Sequence, residues 1–75
     1  MGNFWTTEQL VGVIPKNNKG DEIIVKKVTK GNKAYVDIRT FYKDKEGNLN
    51  PGKGIAIPDD LADEVADLIL KSGGE

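Results

Sequence analysis

The residues of this chain with the most chemical potential are concentrated between positions 37 and 55, in the segment DIRTFYKDKEGNLNPGKGI. Arg39 precedes two adjacent aromatic residues, Phe41 and Tyr42, and a turn-rich stretch then ends at Lys53, which has a glycine on each side. Three structures use such residues: a loop that binds phosphate, an ordinary hairpin with one solvated face, and a groove for a nucleic-acid strand. The elements that carry these residues distinguish the three.

The phosphate-loop interpretation fails on one residue and on its context. Residues 47–54, GNLNPGKG, nearly match the pattern G-x-x-x-x-G-K-[ST], but Gly54 stands where a hydroxyl group must bind magnesium. Such a loop also leads into a helix whose N-terminus faces the phosphates. Here Ile55 and Ile57 indicate a short strand, and Pro58 follows. The sequence therefore argues against nucleotide hydrolysis.

The composition excludes several classes of protein. The chain contains no cysteine and no histidine, so a zinc site would need carboxylates alone, and most nucleophile–base pairs of covalent catalysis are absent. No apolar run approaches the ~20 residues that span a membrane, and no signal peptide is recognisable. We expect a non-enzymatic protein with no cofactor, no metal and no membrane partner. We also expect it to be intracellular, in the cytoplasm or nucleoid of a bacterium or the nucleus of a eukaryote.

Size and charge distribution predict one small domain, residues 1–75, with two differently charged parts. A chain of 75 residues buries only ~60% of its unfolded surface, so without disulfides dimerisation is the remaining source of buried area. Residues 16–53 hold ten Lys/Arg against five Asp/Glu, whereas residues 54–75 hold one lysine against six acids. The net charge of −1 therefore conceals a basic part and an acidic part.

Hydrophobic patterning predicts an α+β fold of order β-β-β-β-α, with one antiparallel sheet covered by one helix. A capping box at Thr6–Gln9 would also suit a short helix, but Pro15 directly after the segment favours a strand. The helix has acidic residues in its first turns and Lys71 in its last, which matches the helix dipole. The predicted elements are strands at 5–14, 21–29, 33–43 and 54–57, a loop at 44–52, and a helix at 59–71.

Alternation along the third strand separates its two faces. Ala34, Val36, Ile38 and Thr40 are expected to face the helix, and Tyr35, Asp37, Arg39, Phe41 and Lys43 to face outward. Aromatic residues occur in strands for packing reasons alone. Beside cations, however, they also form surfaces on which bases stack while Lys and Arg hold phosphates. The cations that could border such a surface are Lys26, Lys30, Lys33, Arg39, Lys43 and Lys53.

Residues 35–57, YVDIRTFYKDKEGNLNPGKGIAI, resemble the core of the transcriptional positive coactivator family, that of positive cofactor four and its bacterial and phage relatives. The shared features, in order, are an Asp-Ile-Arg strand, an aromatic pair, an acidic turn with glycine, and Pro-Gly followed by a basic residue and Gly-Ile. The resemblance implies a homodimer that binds single-stranded DNA in grooves on its curved sheets, without strict sequence preference.

The resemblance also implies roles for particular residues. Arg39 would contact phosphates, Tyr42 would stack on a base, Lys53 and Gly54 would meet the DNA backbone, and Lys33 would open the same strand as a further basic residue. Strict alternation instead places Tyr42 on the Ile38 face. A bulge near Thr40 would reconcile the two, and without one Phe41 is the better stacking residue. Trp5 is a weaker candidate, since packing at a strand end is the commoner role.

We therefore expect a small homodimeric single-stranded DNA-binding protein that acts in transcription or DNA maintenance, with the transcription machinery as a possible partner. Single-stranded RNA is the alternative ligand, because no residue pattern points to recognition of a 2′-hydroxyl. A second alternative is a protein-interaction module that uses the acidic helix. The residues expected at the dimer interface are Leu61, Val65, Leu68 and Ile69.

Overall fold

The computed structural model describes residues 4–73 as a four-stranded antiparallel sheet followed by a C-terminal helix. The predicted order β-β-β-β-α is confirmed. The strands lie in the sheet in chain order, so each pairs with the next. The elements are β1 (Thr7–Pro15), β2 (Glu22–Lys30), β3 (Lys33–Lys43), β4 (Leu49–Pro58), a 3-10 turn (Asp59–Leu61) and α1 (Ala62–Gly73).

Tight turns connect the strands and set their register. The β2–β3 turn consists of Gly31 and Asn32, and Gly31 has a φ of 64°, which a type II′ turn requires at its first central position. In the β3–β4 turn, the Asp44 carboxylate accepts hydrogen bonds from the backbone N–H groups of Glu46 and Asn48 and from the side chain of Asn50. The two turns bring the central strand β3 between β2 and β4.

Two irregularities interrupt the ladder, and both add a residue to an edge strand. Leu10 and Gly12 of β1 pair with consecutive residues of β2, so Val11 is extra. Arg39 pairs with Gly54 and Phe41 with Pro51, so two residues of β4 lie opposite Thr40 alone. A β-bulge bends the strand that contains the extra residue, so β1 and β4 bend while β3 continues regularly against β2.

Strand β4 is longer than the sequence predicted. The prediction gave residues 44–52 to a loop, whereas β4 begins at Leu49 and contains Pro51. The many Asn, Pro and Gly residues of this segment are typical of turns, and for this reason the prediction assigned it to a loop. Proline is tolerated here because β4 is an edge strand, where a missing N–H group costs no ladder hydrogen bond on the open side.

The hydrophobic core is thin, and the helix does not cover the sheet. Among residues 4–73, Val28 and Ile57 are the apolar residues with buried side chains, and no residue of α1 is buried. The helix leaves the sheet through the 3-10 turn, where Asp59 forms an ion pair with Lys27 of β2 at 3.3 Å. The prediction that Ala34, Val36, Ile38 and Thr40 pack beneath the helix is therefore wrong for the single chain.

Candidate nucleic-acid interface

One face of the sheet carries an open cavity with a volume of about 950 Å³. Alternate residues of β3 supply its floor, because successive side chains of a strand point to opposite faces. Neighbouring strands and the segment before β1 supply the walls. The lining residues are Phe4, Trp5, Glu8, Lys26, Lys30, Tyr35, Asp37, Arg39, Phe41, Pro51, Gly54 and Ala56.

Phe41, rather than Tyr42, shares the cavity with Arg39. The expected bulge near Thr40 exists, but its extra residue lies in β4, so the alternation of β3 is not shifted. Tyr42 lies outside the cavity. Its ring fills the space that a Cβ atom on Gly52 would occupy, and the ammonium group of Lys16 is 5.4 Å from the centre of this ring. The two adjacent aromatic residues therefore differ in environment: Phe41 lines the cavity and Tyr42 does not. Phe41 is accordingly the stacking candidate.

Arg39 is held in place from two sides. Its Nη2 donates to Oδ1 of Asp37 at 3.0 Å and its Nε to Oδ2 at 3.4 Å, while its Nη1 donates to the carbonyl oxygen of Gly52 at 2.9 Å. Asp37 is the buried charged residue of the described chain, with 5% of its surface exposed. An arginine has five N–H donors, so two remain for a phosphate. Arg39 therefore joins β3 to the bulge of β4 and still faces the cavity.

Gly54 lies in the wall of the cavity where β4 approaches β3 closely. A Cβ atom at this position would be 2.7 Å from the carbonyl oxygen of Ile38 and 2.9 Å from Cβ of Arg39. Such distances are shorter than any real Cβ contact, and one of the neighbouring atoms belongs to the backbone. Gly54 is thus required by the β3–β4 pairing, and the absence of a side chain also leaves the Arg39 guanidinium accessible.

Two lysines add positive charge to the cavity, and each contacts an aromatic ring. Lys26 forms an ion pair with Glu8, with 3.0 Å between Nζ and Oε1, and its ammonium group is 5.6 Å from the centre of the Phe41 ring. Lys30 places Nζ 3.5 Å from the centre of the Phe4 ring. Lysine has three N–H donors, so both ammonium groups can also bind phosphate oxygens.

A family model described as Transcriptional Coactivator p15 (PC4) matches residues 18–68, which is more than half of the chain. The chain belongs to the PC4 family. Membership supports a function of the single-stranded-DNA-binding coactivator type, and the PC4 family is not a family of enzymes. No curated protein and no solved structure matches the chain.

The PC4 match contains most of the cavity but not its N-terminal wall. Lys26, Lys30, Arg39, Phe41 and Gly54, all predicted from the sequence, lie within residues 18–68 and line one cavity. Phe4, Trp5 and Glu8 lie before the match. Sequence reasoning gave Trp5 a minor place and missed Phe4 and the contribution of Tyr35. The adjacent aromatics at positions 4 and 5 were the available signal.

Four predicted site residues of this PC4-family chain lie outside the cavity. Lys33 borders a second, smaller cavity of about 480 Å³ together with Asp59 and Asp60. The side chain of Lys43 lies against Gly20 of the β1–β2 turn. The other two are Tyr42 and Lys53, and Lys53 lies in the β4 bulge opposite Thr40.

Two further features of the described residues bear on other kinds of site. Within residues 4–73, no group of three or more acidic side chains is arranged to hold a metal ion. The helices in this part of the chain are too short and too polar to cross a membrane. The candidate site is the cavity on the β3 face, which contains Arg39, Phe41 and two lysines.

Proposed function

We propose that this chain binds single-stranded DNA along the β3 face, with little sequence preference and without catalysis, as a homodimer inside the cell. We further propose that it acts in transcription or DNA maintenance, where components of the transcription machinery are candidate partners. The observation that carries the proposal is the cavity itself, in which the Phe41 ring lies beside Lys26 and Arg39.

The cavity supports both contacts that a single strand needs. Every base has a π-face, so an accessible aromatic ring can stack on it regardless of sequence, with a contribution of ~1–3 kcal/mol per base. The Phe41 ring is half-buried, which leaves part of it accessible. Arg39 retains two N–H donors, and Lys26 and Lys30 carry ammonium groups on the same face. No base edge has to be read, which is why sequence preference is expected to be low.

The charges of the cavity predict moderate affinity. Its described lining has three cations, Lys26, Lys30 and Arg39, and two carboxylates, Glu8 and Asp37, each of which is paired with one of these cations. If all three cations neutralise phosphates, log K should fall with log salt at a slope of about −2 for a single strand, or about twentyfold between 50 and 200 mM salt. A slope near zero would show that this face does not contact the DNA backbone.

Surface area supports the homodimer. A compact monomer of 8.2 kDa exposes about 4,500 Å², whereas this chain exposes 5935 Å². The excess of about 1,400 Å² is larger than the ~800 Å² that each partner contributes to a standard interface, so a second copy could cover much of it. Apolar residues of the 3-10 turn and of α1 contribute to it: Leu61, Leu68, Ile69 and Leu70 are all exposed. A second copy of the chain is the occupant that the family resemblance favours.

A titration of the chain with labelled oligo-dT, oligo-U and duplex DNA of equal length tests the function. We expect oligo-dT to bind, duplex DNA to bind more weakly, and Lys26→Ala to weaken binding of oligo-dT. The matched control is Lys45→Ala, which removes the same charge from an exposed turn outside the cavity. Equal affinity for oligo-U would extend the function to single-stranded RNA. Failure to bind any single strand would reject the proposal and leave a protein-interaction role for the acidic helix.

A further inference from the structure

We propose that Phe4, Trp5 and Tyr35 form a second base-stacking subsite, at the opposite end of the cavity from Arg39 and Phe41. Its ligand is an unpaired nucleobase of the same single strand. This inference rests on the proposed function and goes beyond it, because Phe4 and Trp5 precede residues 18–68, which the PC4 family model matches. Two of its three residues therefore lie outside the matched segment, and the third, Tyr35, lies within it.

The three aromatic rings form a continuous row. The ring of Trp5 lies 4.7 Å from that of Phe4 in an edge-to-face arrangement at 86°, and 5.6 Å from that of Tyr35 at a tilt of 42°. These centroid distances are typical of favourable aromatic pairs. All three residues line the cavity that contains Arg39 and Phe41. The row is thus part of the same surface and not a separate cluster.

A purely structural role would be to pack the N-terminal segment onto the sheet, and it explains only part of the cluster. Trp5 and Tyr35 are half-buried against each other, as packing requires. Phe4, however, keeps 68% of its surface exposed, and the ammonium group of Lys30 lies 3.5 Å from its ring centre. An accessible ring beside a cation is the combination that binds a base and its phosphate.

The distance between the aromatic residues at the two ends of the cavity suits a single strand of DNA that runs along β3. Tyr35 and Phe41 are six residues apart, which is about 20 Å in an extended strand. Stacked nucleotides advance ~3.4 Å each, so about six nucleotides of a stacked strand bridge the two ends. Lys26 pairs with Asp37 in the β2–β3 ladder and therefore lies between them. A strand of twelve nucleotides should reach both ends, whereas one of four should reach only one.

The fluorescence of the unmodified chain provides the first test, because Trp5 is its only tryptophan. During titration with oligo-dT of twelve nucleotides, we expect quenching of Trp5 that saturates at the same concentration as the anisotropy of a labelled strand. If the strand binds with anisotropy saturating and Trp5 fluorescence unchanged, the second subsite does not exist. If neither signal changes, the proposed function fails as well, so the two failures are distinguishable.

Two substitutions at one position provide the second test. Trp5→Ala should weaken binding of the twelve-nucleotide strand by about 5- to 150-fold, as expected for the loss of one stacking platform, and should affect a four-nucleotide strand less. Trp5→Phe keeps an aromatic face and should retain most of the affinity. Equal affinities of Trp5→Ala and the unmodified chain for the twelve-nucleotide strand would overturn the inference. If circular dichroism shows that Trp5→Ala is unfolded, the fluorescence titration decides.

Discussion

Arg39 donates hydrogen bonds to two parts of the chain at once, the Asp37 carboxylate of its own strand and the Gly52 carbonyl of β4. Its removal would leave the carboxylate of Asp37 buried without its cation. Losing the partner of a buried polar group costs ~1–3 kcal/mol, so Arg39→Ala should lower the free energy of unfolding by about that amount as well as weaken DNA binding. Urea denaturation measures the first effect and an oligo-dT titration the second.

The control for this prediction is Lys45→Ala, which removes a positive charge from an exposed turn. It should change the free energy of unfolding by less than ~0.5 kcal/mol. If Arg39→Ala were as stable as Lys45→Ala, then Arg39 would be only a DNA contact and would not hold the β4 bulge.

Phe41 and Tyr42 are adjacent, yet the structure predicts different consequences for their loss. Phe41→Ala should weaken binding of single strands by ~1–3 kcal/mol with little change in the salt slope, since stacking involves no counterion release. Tyr42→Ala is the matched control and should weaken binding less, because its ring lies outside the cavity. Affinity measured at two salt concentrations for both variants decides. The reverse order of effects would assign the stacking role to Tyr42, as the family resemblance implies.

At the scale of elements, the pairing of β3 with β4 depends on a glycine. Gly54→Ala would place a Cβ atom 2.7 Å from the backbone carbonyl oxygen of Ile38, so the strands must separate locally. Overpacking of this kind costs ~1–3 kcal/mol, and thermal denaturation should show a lower Tm. Gly12→Ala in β1 is the control, because no atom lies within 4 Å of its Cβ position. A similar Tm for both variants would contradict the close approach of the strands.

The turn between β3 and β4 makes stability depend on pH. The pKa of Asp44 is lowered from 3.8, first by the hydrogen bond from the Asn50 side chain and then by that from the Asn48 N–H group. Because the folded state holds this proton less tightly than the unfolded state, the stabilisation is complete above about pH 4 and is lost as pH falls through the folded pKa.

Asp44→Asn should therefore be less stable than the unmodified chain at pH 7 and should show a smaller loss of stability on acidification. Denaturation with urea at several pH values between 3 and 7 measures this. Glu46→Gln, which removes the same charge from an exposed side chain of the same turn, is the control and should keep the stability of the unmodified chain at pH 7. Identical profiles for Asp44→Asn and the unmodified chain would show that the turn does not contribute.

At the scale of the whole molecule, the single chain has too little core for its length. It is flat, with extents of 41 × 38 × 17 Å, and Leu68 and Leu70 of α1 keep 63% and 71% of their surfaces exposed. We expect light scattering at micromolar concentration to give about twice the chain mass of 8.2 kDa. Leu68→Asp should shift the chain toward monomers, because it puts a charge on the apolar helix surface.

The control for the dimer prediction is Glu64→Gln, a polar substitution on the same helix, which should leave the mass unchanged. A mass of about 8 kDa for the unmodified chain would reject the homodimer. If Leu68→Asp remained dimeric, the interface would lie elsewhere, and the exposed apolar residues of β1, such as Val11 and Ile14, would be the next candidates.

The sequence alone determined the order of the elements, because strand alternation and helical spacing are local patterns. Lys33–Lys43 was predicted with its observed bounds. Of the nine residues predicted to bind DNA, five line one cavity, namely Lys26, Lys30, Arg39, Phe41 and Gly54, and four lie outside it. Alternation also placed Phe41 beside Arg39, since β3 is regular against β2. The family resemblance came from the same segment and agrees with the PC4 match.

Only the tertiary structure decided which strand contains the bulge opposite Thr40, because that depends on how β4 pairs and not on β3 itself. The same holds for the helix: its apolar spacing predicts an interface, but the sheet of its own chain and that of a partner satisfy the pattern equally well. Long-range pairing likewise brought Phe4 and Trp5 to Tyr35, thirty residues away in sequence. Contacts between distant segments leave no periodicity in the sequence, so local patterns could not reveal them.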